Sequence, residues 1–298
     1  MGGRFTMAIR LRLENYQSKI PIRVGGVLPQ TLAQSPLDEI KRRSIWVGKG
    51  QYELGELFDV SSIAGPIDDR QDHNDPGLTH IWEGDLAAVH EIGFGLQRGS
   101  IQVEGSAGRH VGAQMLGGMI EVRGSVSDFL GTEMRGGQIR VAGDSGDWTG
   151  GVYPGTRSGV QGGFLSVGGN AGIGTGTCMR RGMILIGGSA RHQLGANMRA
   201  GTILIGQGVE GAVGSGMVRG TIITPVRPGS SMGEYLGPAF RVGSRLSFPM
   251  TQLFQQWLTG QGETPGSIGR LLSCRQYQVF HGDMLRGGRG EVLLAEID

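Results

Sequence analysis

The sequence predicts an all-β chain, a right-handed parallel β-helix of about seven 19-residue coils with α/β flanks. Three observations carry this: glycine makes up 58 of 298 residues, a glycine-anchored unit recurs with constant spacing, and the residues around each anchor recur with it. An average chain has about 7% glycine. Charged residues are 18% and prolines only 11, so neither disorder nor a collagen-like chain accounts for the excess. An ordered, glycine-rich chain of modest charge needs many tight turns.

The anchors are Gly99, Gly118, Gly137, Gly163, Gly182, Gly201 and Gly220, spaced 19, 19, 26, 19, 19 and 19. The longer step contains a seven-residue insertion near Gly150–Gly159 (GGVYPGTRSG). Two residues after each anchor stand Ile101, Ile120, Ile139, Leu165, Ile184, Ile203 and Ile222. Two further on stand Val103, Val122, Val141, Val167, Ile186, Ile205 and Thr224. Met115, Met134, Met179, Met198 and Met217 each follow a glycine by three. The unit reads G-x-I-x-V-x-G-x₆-G-x-x-M. Gly93 and Leu96 mark a degenerate unit before it.

The I-x-V segment alternates and so reads as a short strand. Glycines bound it where the backbone must turn with positive φ. No unit holds a helical stripe, and internal glycines cost a helix about 1 kcal/mol each. Nineteen extended residues make a circuit of about 60 Å, and coils stack at about 4.8 Å, which would place isoleucine, valine and methionine in three inward ladders. Three segments follow: an N-terminal extension 1–79, the repeats 80–225 and a C-terminal cap 226–298. The flanks are expected to cover the edge strands of the stack. Helices are predicted at Ser35–Lys41, with Ser35 as N-cap and Pro36 at N1, at Met250–Leu258 and near Ser267–Ser273.

Two outward features stand out. Between the isoleucine and valine columns the sequence reads Gln102, Glu121, Arg140, Ser166, Leu185, Leu204, Ile223. The apolar end of that row, with Met183 beside it, must be covered by the C-terminal segment or by a partner subunit. Arg98, Arg135, Arg180, Arg181, Arg199 and Arg219 fall between the methionine and the anchor. Stacked, they would line one corner, either solvated and paired with acids such as Glu133 and Glu210, or facing an acidic partner or polyanionic ligand.

Catalytic signals are weak. The net charge of +2 argues for neither nucleic acid nor membrane. Cys178 and Cys274 form no metal motif, and Cys178 reads as packing rather than a nucleophile. No apolar run reaches 18 residues, and no signal peptide is visible, so a cytoplasmic chain is expected. The group His73, Asn74, Asp75 and His80 could ligate a metal but reads better as a turn. Gly229-Ser230-Ser231-Met232-Gly233 matches G-x-S-x-G without the flanking strand and helix that a nucleophile elbow requires. Gly172–Gly176 lacks the helix of a nucleotide loop. Asp144/Asp147 and Asp68/Asp69 fall in predicted turns.

The unit, seen in Leu116–Met134 (LGGMIEVRGSVSDFLGTEM) and Arg180–Met198 (RRGMILIGGSARHQLGANM), resembles a glycine-rich β-helix superfamily. Its members are the C-terminal domain of the glutamate synthase large subunit, and the C subunit of formylmethanofuran dehydrogenase together with its relative in the formyltransferase/hydrolase complex of methylotrophic bacteria. Pro36–Ser62, with Gly55-Glu56-Leu57-Phe58-Asp59-Val60, and Leu271–Leu294 favour the C subunit, in its methylotroph version. The resemblance implies a structural subunit with no catalytic residue or cofactor of its own. Its partners would be amidohydrolase-like, formyltransferase and molybdopterin-subunit-like chains in a hetero-oligomer, such as a dimer of heterotetramers. The complex would pass a formyl group between tetrahydromethanopterin and a methanofuran-type carrier and release formate. Carrier and metals would sit in the sister subunits, and the carrier's glutamate-rich arm gives the arginines a ligand. Three alternatives remain: the C subunit of a molybdenum or tungsten dehydrogenase, a stand-alone β-helix enzyme on acidic polysaccharide, or a glutamate synthase relative supporting ammonia transfer.

Overall fold

In the computed structural model, residues 6–14, 16–33, 35–65, 79–226, 236, 239–247, 250–260 and 266–295 are described. The N-terminal segment forms β1 (Thr6–Leu13), β2 (Ile22–Arg23), α1 (Pro29–Leu32), α2 (Leu37–Lys41), β3 (Ser44–Val47), β4 (Gly50–Glu53), α3 (Leu54–Leu57) and β5 (Phe58–Gly65). The repeats supply β6 (Thr79–Glu83), β7 (Val89–His90), β8 (Ser100–Val103), β9 (Met119–Val122), β10 (Gln138–Val141), β11 (Phe164–Val167) and β12 (Met183–Ile186). They continue with β13 (Ser189–Ala190), β14 (Thr202–Ile205), β15 (Gly208–Val209) and β16 (Arg219–Pro225). The C-terminal segment adds β17 (Arg241–Leu246), α4 (Met250–Gly260), α5 (Gly266–Leu272), β18 (Tyr277–Gly282) and β19 (Arg289–Ala295).

One mixed sheet of 13 strands dominates, in the order β17-β18-β19-β16-β14-β12-β11-β10-β9-β8-β6-β1-β5. Its middle is parallel and follows the repeat. Ile101 pairs with Ile120, Ile120 with Ile139, Ile139 with Leu165, Leu165 with Ile184, Ile184 with Ile203 and Ile203 with Ile222. The residues of the isoleucine, valine and methionine columns lie in the buried core, most of them fully enclosed. Each buried aliphatic side chain contributes about 1.5–3 kcal/mol, so stacking like on like is the main source of stability.

The closed parallel β-helix is not what the structure shows. The large sheet is mixed: β1–β5, β17–β18 and β18–β19 are antiparallel. Only four residues of a typical repeat form a strand in that sheet, as in β9. Elsewhere neighbouring repeats meet through isolated bridges such as Leu86–Ala107–Val126–Ser145, or the two-residue pair β13–β15. The reason is local. In each repeat alternate turn residues take positive φ, as at His110 (64°), Gly112 (61°) and Gln114 (55°). That conformation is incompatible with a continuous extended ladder. Side chains replace the missing ladder bonds. The Ser106 and Ser125 hydroxyls and the Asp144 and Asn170 side-chain oxygens each accept the backbone N–H one repeat on, from Ser125, Asp144, Asn170 and Ser189. A second such series runs from Asp128 to Asp147 and from Asp147 to Ile173.

The flanks extend the sheet. β1 joins β6 in parallel, and β19 joins β16 in parallel, so neither end of the repeat stack is an open edge. Pro36, not Ser35, is the N-cap of α2, and no side chain caps it. Its extended conformation, with φ −63° and ψ 153°, is what proline's ring favours just outside a helix.

The anchor glycines are required by space as well as by φ. A Cβ on Gly118 would stand 2.6 Å from the Gly99 carbonyl oxygen, at φ +79°. The obstacle is backbone and cannot swing away. Gly118→Ala is expected to cost about 2–4 kcal/mol, read as a lower urea midpoint; an unchanged midpoint would contradict the stacking geometry.

Candidate functional site

The arginines do not form one corner. Counted from the anchor, Arg135, Arg180 and Arg199 share one column, and Arg98, Arg181 and Arg219 the next. The backbone bonds settle the first: Arg135, Gln161, Arg180 and Arg199 donate to Met115, Met134, Val160 and Met179 on successive rungs. All six arginines are exposed. The acids expected to pair with them face elsewhere. Glu210 pairs with Arg191 at 3.6 Å, while Glu133 accepts from Gln114 at 3.1 Å and from Thr156.

Leu185 and Leu204 are buried in a second apolar cluster with Phe164, Ile223, Leu258, Ile268, Leu271 and Tyr277. Helices α4 and α5 therefore lie over the apolar end of the sheet's outer face. The Ser267 hydroxyl donates to the Gly187 carbonyl, tying α5 to the stack. Toward the N-terminal end the same face is polar, with Arg140 paired to Glu121 at 3.3 Å.

Where α4 ends its cover, a trough of about 480 Å³ opens along the sheet. Gly137, Gln138, Gly163, Phe164, Gly182, Met183 and Trp257 line it. Three anchor glycines thus form its floor. Trp257, 41% exposed, meets Phe164 edge to face at 5.1 Å.

The insertion builds a second cluster that the sequence did not reveal. Tyr153 reaches 43 residues back, and its hydroxyl lies 2.8 Å from His110 Nδ1. His110, Phe129 and Tyr153 stack, with His110–Phe129 centroids 4.9 Å apart. Glu133 is held by Thr156 from the same loop. Burial, with the Glu133 charge behind it, pushes the Tyr153 hydroxyl up to about 12, so it stays protonated and shows no sign of activation. The only advance signal was the length of the insertion.

His80 is wholly enclosed. It pairs with Ile9 on β1 and Ile101 on β8, at the foot of the isoleucine column. Neither ring nitrogen has a hydrogen-bond partner, and burial alone lowers its pKa to about 3. His73, Asn74, Asp75, Asp68, Asp69 and the 229–233 motif lie outside the described residues. Asp144 and Asp147 accept backbone N–H groups, as given above. Cys178 sits at a positive-φ turn (57°), and burial raises its thiol pKa. Gly174 and Gly176 are turn residues of the repeat. Among the described residues no three or more His, Cys, Asp or Glu are grouped to hold a metal ion. No helix among them is long and apolar enough to cross a membrane.

No family model matches the chain. Among curated proteins, the C subunit of a molybdenum-containing formylmethanofuran dehydrogenase from Methanosarcina barkeri is 32% identical over 92 residues, 31% of this chain and 28% of that one. The C subunit of a tungsten-containing formylmethanofuran dehydrogenase from Methanothermobacter marburgensis is 35% identical over 97 residues, 33% of each. The chain thus matches about a third or less of these relatives' length. Among solved structures, a chain of the formyltransferase/hydrolase complex (FhcABCD) from Methylorubrum extorquens, determined in complex with methylofuran, superposes with a TM-score of 0.80 at 29% identity. That likeness covers 96% of this chain and 99% of the other. The chain is therefore similar almost end to end to a component of a formyltransferase/hydrolase complex, and over part of its length to the C subunits of formylmethanofuran dehydrogenases.

Proposed function

We propose that this chain is a structural subunit, without a catalytic site of its own, in a cytoplasmic formyltransferase/hydrolase complex. That complex transfers a formyl group from formyl-tetrahydromethanopterin to a methanofuran-type carrier and releases formate. The end-to-end structural likeness carries this reading. The use of the repeat's polar side chains supports it, since Ser125, Asp144, Asn170 and Asp147 hold neighbouring repeats together. Sister chains of amidohydrolase-like, formyltransferase and molybdopterin-subunit-like type would hold the metals and carrier, in a hetero-oligomer. The exposed arginines would meet acidic groups of that assembly.

Purification from the native host tests it. The chain is expected to leave the column with larger sister chains, and formyl transfer is expected from the assembly and not from the chain alone. A homogeneous monomer lacking partners, or turnover by the isolated chain, would overturn the reading. The curated relatives favour a second reading, the C subunit of a formylmethanofuran dehydrogenase. Stoichiometric molybdenum or tungsten in the purified complex selects that reading, and its absence selects the first.

A further inference from the structure

From the trough beside α4 and the arginine column next to it, we infer that this surface receives an extended acidic segment of a sister subunit, anchored by one apolar side chain. The inference rests on the subunit reading above and specifies where a partner docks. The trough's walls are apolar, with Phe164, Met183 and Trp257 on them and glycine backbone beneath. It adjoins the arginines: Arg135 lies two residues before Gly137, and Arg180 and Arg181 directly precede Gly182. On α4, Leu253 and Trp257 are 55% and 41% exposed, unlike the buried Leu258 of the same helix.

Charge and shape together choose the occupant. Arg135, Arg180 and Arg199 stand on rungs one, three and four of a run whose second is Gln161, and such a run spans about 14 Å. Like charges set this close call for an anionic partner along the column. The trough is open along the sheet, whereas small-molecule sites enclose most of their ligand. An apolar anchor flanked by acidic residues satisfies both parts, and Trp and Arg are the residues that dominate such contacts.

The test uses the chain in its native assembly. Gln138→Cys places a thiol in the trough, and maleimide labelling is read peptide by peptide to separate it from Cys178 and Cys274. Labelling at position 138 is expected to fall about tenfold or more in the assembly relative to the isolated chain. Arg135→Glu with Arg180→Glu is expected to weaken assembly about tenfold at low salt, and less in 0.5 M NaCl. Arg135→Glu and Arg180→Glu are also made singly, with Arg157→Glu on the insertion as the charge-matched control for each, and thermal melts of the isolated variants confirm that each folds. Equal labelling in assembly and isolated chain would overturn the docking site while leaving the subunit reading intact. Arginine variants that assemble like the control would overturn it too. A hexaglutamate peptide added to the isolated chain identifies the remaining rival. If it blocks labelling and assembly does not, the trough takes a free polyanion and the inference is wrong. A chain that copurifies with no partner defeats the subunit reading itself.

Discussion

Leu185→Asp combined with Leu204→Asp is expected to abolish the cooperative melt of the isolated chain and leave it insoluble. Both leucines sit on the outer face of the sheet, yet they are 5% and 0% exposed. What hides them is intramolecular: Ile268 and Leu271 of α5, Leu258 of α4, and Tyr277, whose hydroxyl donates to the Leu271 carbonyl at 2.6 Å. Aspartate there puts a carboxylate in an apolar layer with no cation to pair it. Each unpaired buried charge costs about 3–5 kcal/mol, and two together are comparable to the roughly 5–15 kcal/mol that holds most domains folded. Leu204→Ala, which only opens a cavity, is expected to cost about 2–5 kcal/mol and keep the fold. The control is Gln102→Asp, in the same column where no described helix covers it, with a change of at most about 1 kcal/mol because Glu121 stands on the next rung. If the double variant melts normally with no partner present, α4 and α5 do not cover this face in solution.

His80→Ile is expected to stabilise the chain, with a gain that grows as the pH falls. His80 occupies a place that isoleucine fills on the next rungs, and its ring nitrogens have no partner. The sign follows from its pKa, about 3 in the folded chain against an ordinary 6.5. Above pH 6.5 the ring is neutral in both states and stability does not depend on it. Below 6.5 the unfolded chain takes up a proton that the folded chain refuses, so stability falls by about 1.4 kcal/mol per pH unit until about pH 3. At pH 5 the native chain should therefore have lost about 2 kcal/mol through this group. His90 and His110 are also lowered by burial and act in the same direction, so the comparison must be the difference between the two proteins. Urea unfolding of both at pH 7.5 and pH 5 measures it. A stability difference independent of pH would show that His80 is not enclosed as described.

The position of His80 also shows why some of the site was hidden. The repeat is 19 residues, and counting back 19 from Ile101 lands on Trp82. The structure instead pairs Ile101 with His80 and Val103 with Trp82. The first step is two residues longer than the period, and that offset conceals a histidine in the core. The arginines carry a related lesson. Their spacing from the anchors already divides them into two columns, while their common closeness to the anchors made them look like one. Tyr153 and His110 could not be joined from sequence, because the contact depends on how an aperiodic loop folds over the stack.

The sequence by itself determined the register. Once a unit repeats every 19 residues, stacking like on like buries the isoleucine, valine and methionine columns together, and any other register would expose them. It also placed the anchor glycines, although other positive-φ turn positions of the same repeats are held by residues such as His110 and Gln114. The tertiary structure alone decided that the sheet is mixed, that neighbouring repeats join through isolated bridges and side-chain bonds in place of continuous ladders, and that two C-terminal helices hide Leu185 and Leu204. Those outcomes depend on which strand the flanks pair with and on what covers a face. Such choices are settled by contacts between segments far apart in the chain, and a local period carries no information about them.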